Sequence, residues 1–248
     1  GLFLQQLWQK WLGVCAKTAS PCQHDPTTFS YNSFCCVAAS VGRMVIGILA
    51  AEALLAFCTL AFELAMARLI APHAGMSTDT WTAIIAAFLV AWALGTFVGG
   101  RMAEGVSIAR VLCRAAVAAV AGAVLAAIVP SLLDTWDRMV LDPAPLEVWR
   151  VVLFAGLPPL PVGFCFGLAA PLLLTAMVRL TKGSGVAIGL VNAMGAAGSV
   201  LGALTMLWLL LDVWGTRGAV LPIAALAGVT AILLFGMAWR LRGHEGTA

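Results

Sequence analysis

Residues Met44–Ala67 read MVIGILAAEALLAFCTLAFELAMA, a run in which only Glu52 and Glu63 carry charge. About 20 apolar residues in a helix reach across the hydrocarbon core of a bilayer. A helix is also the form in which one segment satisfies its own backbone N–H and C=O groups there. Outward from this run lie five more of similar character, at Trp81–Gly100, Val111–Leu133, Val148–Val178, Val186–Leu211 and Ala219–Trp239. The expected fold is therefore all-α, a polytopic membrane helix bundle of about six transmembrane helices. The fourth run is longer than the others and holds Pro158, Pro159, Pro161 and Pro171. Each proline removes a backbone donor, so this run is expected to break or kink.

Composition points the same way. The chain is 62% hydrophobic and 10% charged, against roughly 25% charged for a soluble domain. Six spans and their loops use nearly all of the 248 residues, leaving no room for a soluble enzyme of ordinary size. The net charge of +3 is sorted by position, and no basic stripe interleaved with aromatics points to nucleic acid. Lys10, Lys17, Arg43, Arg101, Arg110, Arg114, Arg179, Lys182, Arg240 and Arg242 fall on one side of the spans. Arg68, Arg138, Arg150 and Arg217 fall on the other, with Asp79, Asp134, Asp137, Asp142, Glu147 and Asp212. The positive-inside rule then puts both termini in the cytoplasm. Trp81, Trp149, Trp214 and Trp239 stand near span ends, where tryptophan anchors at the membrane interface.

Ahead of the spans, Gly1–Lys17 places Leu4, Trp8, Trp11 and Cys15 on one helical face, the pattern of an N-terminal interfacial amphipathic helix. Polar residues interrupt its apolar ones, so it does not read as a secretory signal. The expected organisation is an amphipathic, Cys-containing cytoplasmic arm over 1–40, a six-helix transmembrane domain over 41–240 and a short cytoplasmic tail over 241–248. Cys15, Cys22, Cys35 and Cys36 of the arm fall on the reducing side, where stable disulfides are rare. Their spacing lacks the close pairs of a zinc site, so no metal is expected. Cys58, Cys113 and Cys165 lie in apolar runs and read as small hydrophobes. His24, His73 and His244 all lie outside the spans, so no haem ligand sits at membrane depth and no cofactor is expected. His73, in Pro72-His73-Ala74-Gly75, reads as part of a helix-ending turn.

Ionisable groups inside spans are costly, which makes Glu52 and Glu63 the leading candidates for function. They are eleven residues apart, hence on one helical face. Two readings stand: a proton or cation path along that face, or carboxyls that neutralise by protonation or pair with a neighbouring helix. Arg68, at the same end as Glu63, is a candidate partner for it. In the fifth run Gly185, Gly189, Gly195, Gly198 and Gly202 recur at intervals that let another helix approach closely. Asn192 lies within this stripe, either as interhelical glue or as a substrate contact. No catalytic constellation is evident.

Two stretches resemble the membrane domain that precedes the catalytic domain in fused spermidine synthases, a family of bacterial polytopic membrane proteins. In Glu63–Glu104 these are the Glu and Arg ending the first helix, the turn Ala71-Pro72-His73-Ala74-Gly75, Trp81-Thr82 opening the second helix, and the end ALGTFVGGRMA. In Phe166–Gly215 they are FGLAAPLL, GLVNAMGAAGSVLGAL and the closing Trp-Gly turn. The resemblance covers roughly residues 50–235 and implies a bacterial inner-membrane location. His73 departs from it, standing where the family usually has an aromatic residue. Nine residues follow Trp239, so the family's nucleotide-cofactor fold and its aminopropyl transfer are not expected here. The turn Gly99-Gly100-Arg101-Met102-Ala103-Glu104 also resembles a loop of major-facilitator transporters, and six spans equal half of one. Three helices per half would then make an inverted repeat. Matching Ala91–Gly100 to Ala193–Gly202 leaves few identities, which is little support for one.

The first functional expectation is a non-catalytic membrane subunit that packs against other subunits or copies of itself through the glycine stripe, surrounded by lipid. The alternatives are a small-solute or polyamine carrier of half-transporter type and a membrane anchor for a separately encoded aminopropyltransferase. The carrier would use Glu63, Asn192 and the proline-broken fourth helix.

Overall fold

The computed structural model describes residues 31–140, 148–181 and 183–245. The amphipathic segment and Cys15 and Cys22 lie outside these, as do the side chains of Cys35 and Cys36. Ala39–Ala248 forms one compact unit.

Among the described residues the regular elements are all helical. They are α1 (Tyr31–Ala74), α2 (Thr78–Ala103), α3 (Ile108–Val140), α4 (Val148–Gly156), α5 (Leu160–Thr181), α6 (Ser184–Thr205), α7 (Leu211–Gly218) and α8 (Val220–Glu245). A π-helical turn, Met206–Leu210, joins α6 to α7. Six stretches are long and apolar enough to cross a membrane: Gly42–Ala74, Thr78–Ala103, Ile108–Val140, Leu160–Thr181, Gly185–Gly218 and Val220–Arg242. The polytopic bundle expected from the sequence is what the chain forms.

Local chemistry sets the boundaries. Gly75, at φ 76°, supplies the left-handed residue that ends α1. Ser77 then caps α2, its Oγ accepting from the Thr80 N–H at 3.2 Å. The fourth run breaks as its prolines require, but in one place, with the short α4 ending at Gly156 and the spanning α5 starting at Leu160. Pro171 stays inside α5 without ending it. The fifth span runs seven residues past the expected Leu211, to Gly218.

Packing rests on close backbone approaches at small residues. On α2 the buried seam includes Ala91, Gly95 and Gly99. A Cβ on Gly95 would strike the Phe164 carbonyl, and one on Gly99 the Leu168 carbonyl, both on α5. The helices touch backbone to backbone, and rising numbers pair with rising numbers, so they run in the same direction. The pair α1 and α6 is built the same way. A Cβ on Gly198 would strike the Ala53 carbonyl, and one on Gly202 the Phe57 carbonyl. On the third spans, α3 packs against α8 and against α5. Its Gly122 lies under the Phe166 ring of α5, and Gly47 of α1 lies against Met237 of α8. The Cys58 thiol of α1 also reaches the Ile223 carbonyl of α8 at 3.5 Å.

These contacts repeat at constant offsets. Gly95 and Gly99 become Gly198 and Gly202 at an offset of 103 residues, and their partners Ala53 and Phe57 become Phe164 and Leu168 at an offset of 111. Thr96 coincides with Ser199 in the same register. Thus α1–α2 corresponds to α5–α6, which leaves α3 and α8 as the third span of each half. Each half contributes an odd number of spans, so the second half is inverted relative to the first. The register matched above from sequence was one residue off, which aligned Gly95 with Ala197 and hid the correspondence.

The two ends of the bundle differ in charge. At one end, Arg179 of α5 donates to the carbonyls of Ala103 (2.8 Å) and Val106, and Arg114 of α3 donates to that of Met102. At the other, Arg217 makes a two-pronged bond to Asp134, one arm at 3.0 Å. There His73 Nδ1 lies 3.1 Å from Asp137, its ring 5.7 Å from that of Phe154. His73 belongs to the last turn of α1, and Gly75 does the helix-ending.

Candidate functional site

Between the two halves lies a cavity of about 310 Å³, lined from α1, α2, α5 and α6. Its polar lining is Glu52, Thr59 and Glu63 from α1 with Asn192 and Ser199 from α6. Leu89, Trp92, Phe88 and Phe166 supply much of the apolar wall. This size falls at the lower end of the range of small-molecule sites, and the mix of apolar wall and few polar groups is typical of them.

Helix geometry explains how one element supplies both carboxylates. Eleven residues advance the helix by roughly 16 Å and rotate it by only about 20°. Glu52 and Glu63 therefore share a face, and they stand on either side of Cys58, the midpoint of the 33-residue span. The cavity is thus centred near mid-span with a carboxylate toward each end.

Glu52 is half-buried, and its Oε2 is buried without a hydrogen-bond partner. Its Oε1 lies where a Cβ on Gly195 would come within 3.3 Å, so Gly195 makes room for the carboxylate. The hydroxyls beside them are tied to backbone. Thr59 Oγ1 donates to the Leu55 carbonyl at 2.7 Å, and Ser199 Oγ to the Ala56 carbonyl at 3.5 Å. Each keeps acceptor capacity. The lining therefore offers acceptors, two of them acidic, and in Asn192 one amide that both donates and accepts.

Arg68 is not part of this arrangement. It is exposed, and no ion pair joins it to Glu63. Five residues rotate a helix by roughly 140°, which carries Arg68 off the Glu63 face. The glycine stripe also divides. Gly195, Gly198 and Gly202 seat α1, whereas Gly185 and Gly189 have nothing within 4 Å. Asn192 is exposed at the cavity's open side, where it is one of the lining residues.

Sequence reasoning missed the aromatic wall. Phe88, Trp92 and Phe166 looked like ordinary span residues, and only the α2–α5 seam brings them beside Glu52 and Glu63. A larger cavity of about 390 Å³ lies between α3 and the α4–α5 break, but its lining is almost wholly apolar, from Leu125 and Ile128 to Pro158 and Pro161. It offers a ligand little beyond hydrophobic contact.

Six spans in two inverted halves, with an acidic cleft between them, define a multi-pass α-helical membrane protein. No family model, no curated protein and no solved structure matches this chain.

Proposed function

We propose that this protein is a carrier for small organic cations of the alkylamine class, acting without a catalytic step. The observation that carries this reading is the pairing of Glu52 and Glu63 in one mid-span cavity between inverted halves. Half-buried carboxylates at this depth are stabilised by a cationic partner, which a cationic substrate would supply. Carriers built from inverted repeats bind substrate near the membrane midplane, where the halves meet. Two carboxylates separated along an apolar wall suit a dication with an alkyl spacer, whose methylenes would lie against Leu89, Trp92 and Phe166. The reading keeps as its location the bacterial inner membrane of the fused spermidine synthases, whose membrane domain this chain resembles.

Proteoliposomes test the proposal. Uptake of labelled 1,4-diaminobutane and of longer polyamines is expected to exceed that of protein-free liposomes several-fold. Uptake equal to the protein-free control for every amine tried contradicts it.

A second reading is that the protein is a subunit of a larger assembly, and the outer face of α6 favours it. Gly185 and Gly189 face open space there, and Val186 beside them is 68% exposed. A helix from another chain or a second copy would fit this small-residue surface. Mild detergent extraction separates the outcomes: co-purifying subunits or a dimer support it, and a lone monomer argues against it.

A further inference from the structure

We propose that Arg179 and Arg68 are alternating latches, each clasping a helix-ending turn of the opposite half in one of two states of the bundle. The proposal rests on the two-state motion of the carrier reading, and it names the groups that close each end of the cavity in turn. A short repeat in the sequence carries it. Ala65, Met66, Arg68 and Leu69 near the end of α1 recur as Ala176, Met177, Arg179 and Leu180 near the end of α5. The offset is 111 residues, the same that relates Ala53 and Phe57 to Phe164 and Leu168 in the two backbone seams. Arg68 and Arg179 are therefore equivalent positions of the inverted halves, at opposite ends of the bundle.

The turns that end the second span of each half are equivalent too. Gly105 and Gly215 both stand at φ 66°, the left-handed conformation that closes a helix. The carbonyls of a last helical turn have no donor within their own helix. Arg179 supplies one from the other half, donating to the carbonyls of Ala103, at 2.8 Å, and of Val106, on either side of Gly105. Their counterparts around Gly215 are the carbonyls of Val213 and Thr216. In the α1–α6 seam Ala53 meets Gly198 and Phe57 meets Gly202, and the same register continued puts Arg68 level with Val213.

One latch is engaged and its counterpart is open. Ala103, which Arg179 holds, is 2% exposed, whereas Val213 is 65% exposed. Arg68 is itself exposed and makes no hydrogen bond or ion pair with any described residue. At its end the Arg217–Asp134 bond ties α7 to α3 rather than to α1. Because the halves are inverted equivalents, exchanging their arrangements produces the state closed at the opposite end. In that state Arg68 takes the carbonyls of Val213 and Thr216, and Arg179 releases those of Ala103 and Val106. A guanidinium suits the task, since it stays charged and offers several donors to backbone carbonyls.

The test reads the two states directly, in the full chain with its seven cysteines replaced and reconstituted in lipid nanodiscs. Paired spin labels report the Arg179 end as E104C/T181C and the Arg68 end as P72C/T216C, with distances from double electron–electron resonance. R179A removes a charged hydrogen bond from one state only. It is expected to shift the population roughly tenfold toward a long E104C/T181C distance and a short P72C/T216C distance. R68A is expected to shift it roughly tenfold the other way, because it removes the bond of the second state and leaves the first intact. R68K and R179K keep the charge and are expected to reverse most of each shift. If R68A leaves both distances unchanged, or moves them in the same direction as R179A, the proposal is overturned, and R68A alone decides if R179A fails to fold. The readout needs no substrate. Opposite shifts without uptake of any amine uphold the latches and reject the amine as cargo, whereas amine uptake with distances that neither substitution moves overturns the latches alone.

Discussion

Replacing Gly198 by leucine is expected to destabilise the protein by about 3 kcal/mol or more, because the site has no space for even a Cβ. A Cβ there would strike the Ala53 carbonyl and lie 2.9 Å from its Cα. These are backbone atoms of α1 and cannot swing away as a side chain would. The helices must separate, and separation forfeits the close contacts that hold spans together where lipid tails compete equally for apolar surface. The inverted correspondence adds a stricter expectation. Gly95→Leu, the equivalent position against Phe164 of α5, should cost about as much. Gly189→Leu, which faces open space, should change stability by no more than about 0.5 kcal/mol. Thermal unfolding in a single detergent, followed by size-exclusion chromatography, compares the three directly. Equal losses for Gly198→Leu and Gly189→Leu would show that the seam is misassigned.

The second large effect concerns transport. Glu63→Gln keeps the shape of the side chain and removes its charge. A charge-assisted hydrogen bond is worth about 1.5–3 kcal/mol, so amine uptake at subsaturating concentration should fall by roughly tenfold to a hundredfold. Glu52→Gln should act similarly on a dication, since the two carboxylates line one cavity. On a monoamine, one of the two substitutions should matter far more than the other. Folding should survive both, because neither carboxylate forms an ion pair within the described residues and Glu52 Oε2 has no hydrogen-bond partner to lose. The measurement is initial uptake rate into proteoliposomes across a range of amine concentrations. If Glu63→Gln transports at the wild-type rate, the carboxylate does not contact the substrate.

Much of this architecture is legible in the residues because the membrane imposes a strong rule. A span must be long, apolar and helical, so Met44–Ala67 alone announces the class, and the prolines at 158, 159 and 161 announce a break. The site is legible in part. Glu52 and Glu63 stand out as the charges inside a span, and the eleven-residue spacing puts them on one face. What they face depends on which helices flank α1, and that is tertiary information. The glycine stripe shows the same limit. Five glycines share one helix and a similar spacing, yet only those at 195, 198 and 202 meet α1. The repeat was hidden for a simpler reason, since two seams of small residues resemble each other in any register. Backbone contacts at Gly95 and Gly198 fix the register where residue identities do not.

A carrier of this kind requires its acidic cavity to open in turn to each side of the membrane. Asn192, exposed within it, is the place to test this. In a chain whose seven cysteines are replaced, Asn192→Cys is labelled with a membrane-impermeant maleimide in right-side-out and in inside-out vesicles. Labelling is expected from both sides, slowed in both by excess diamine. Labelling from one side only, unaffected by diamine, would contradict it.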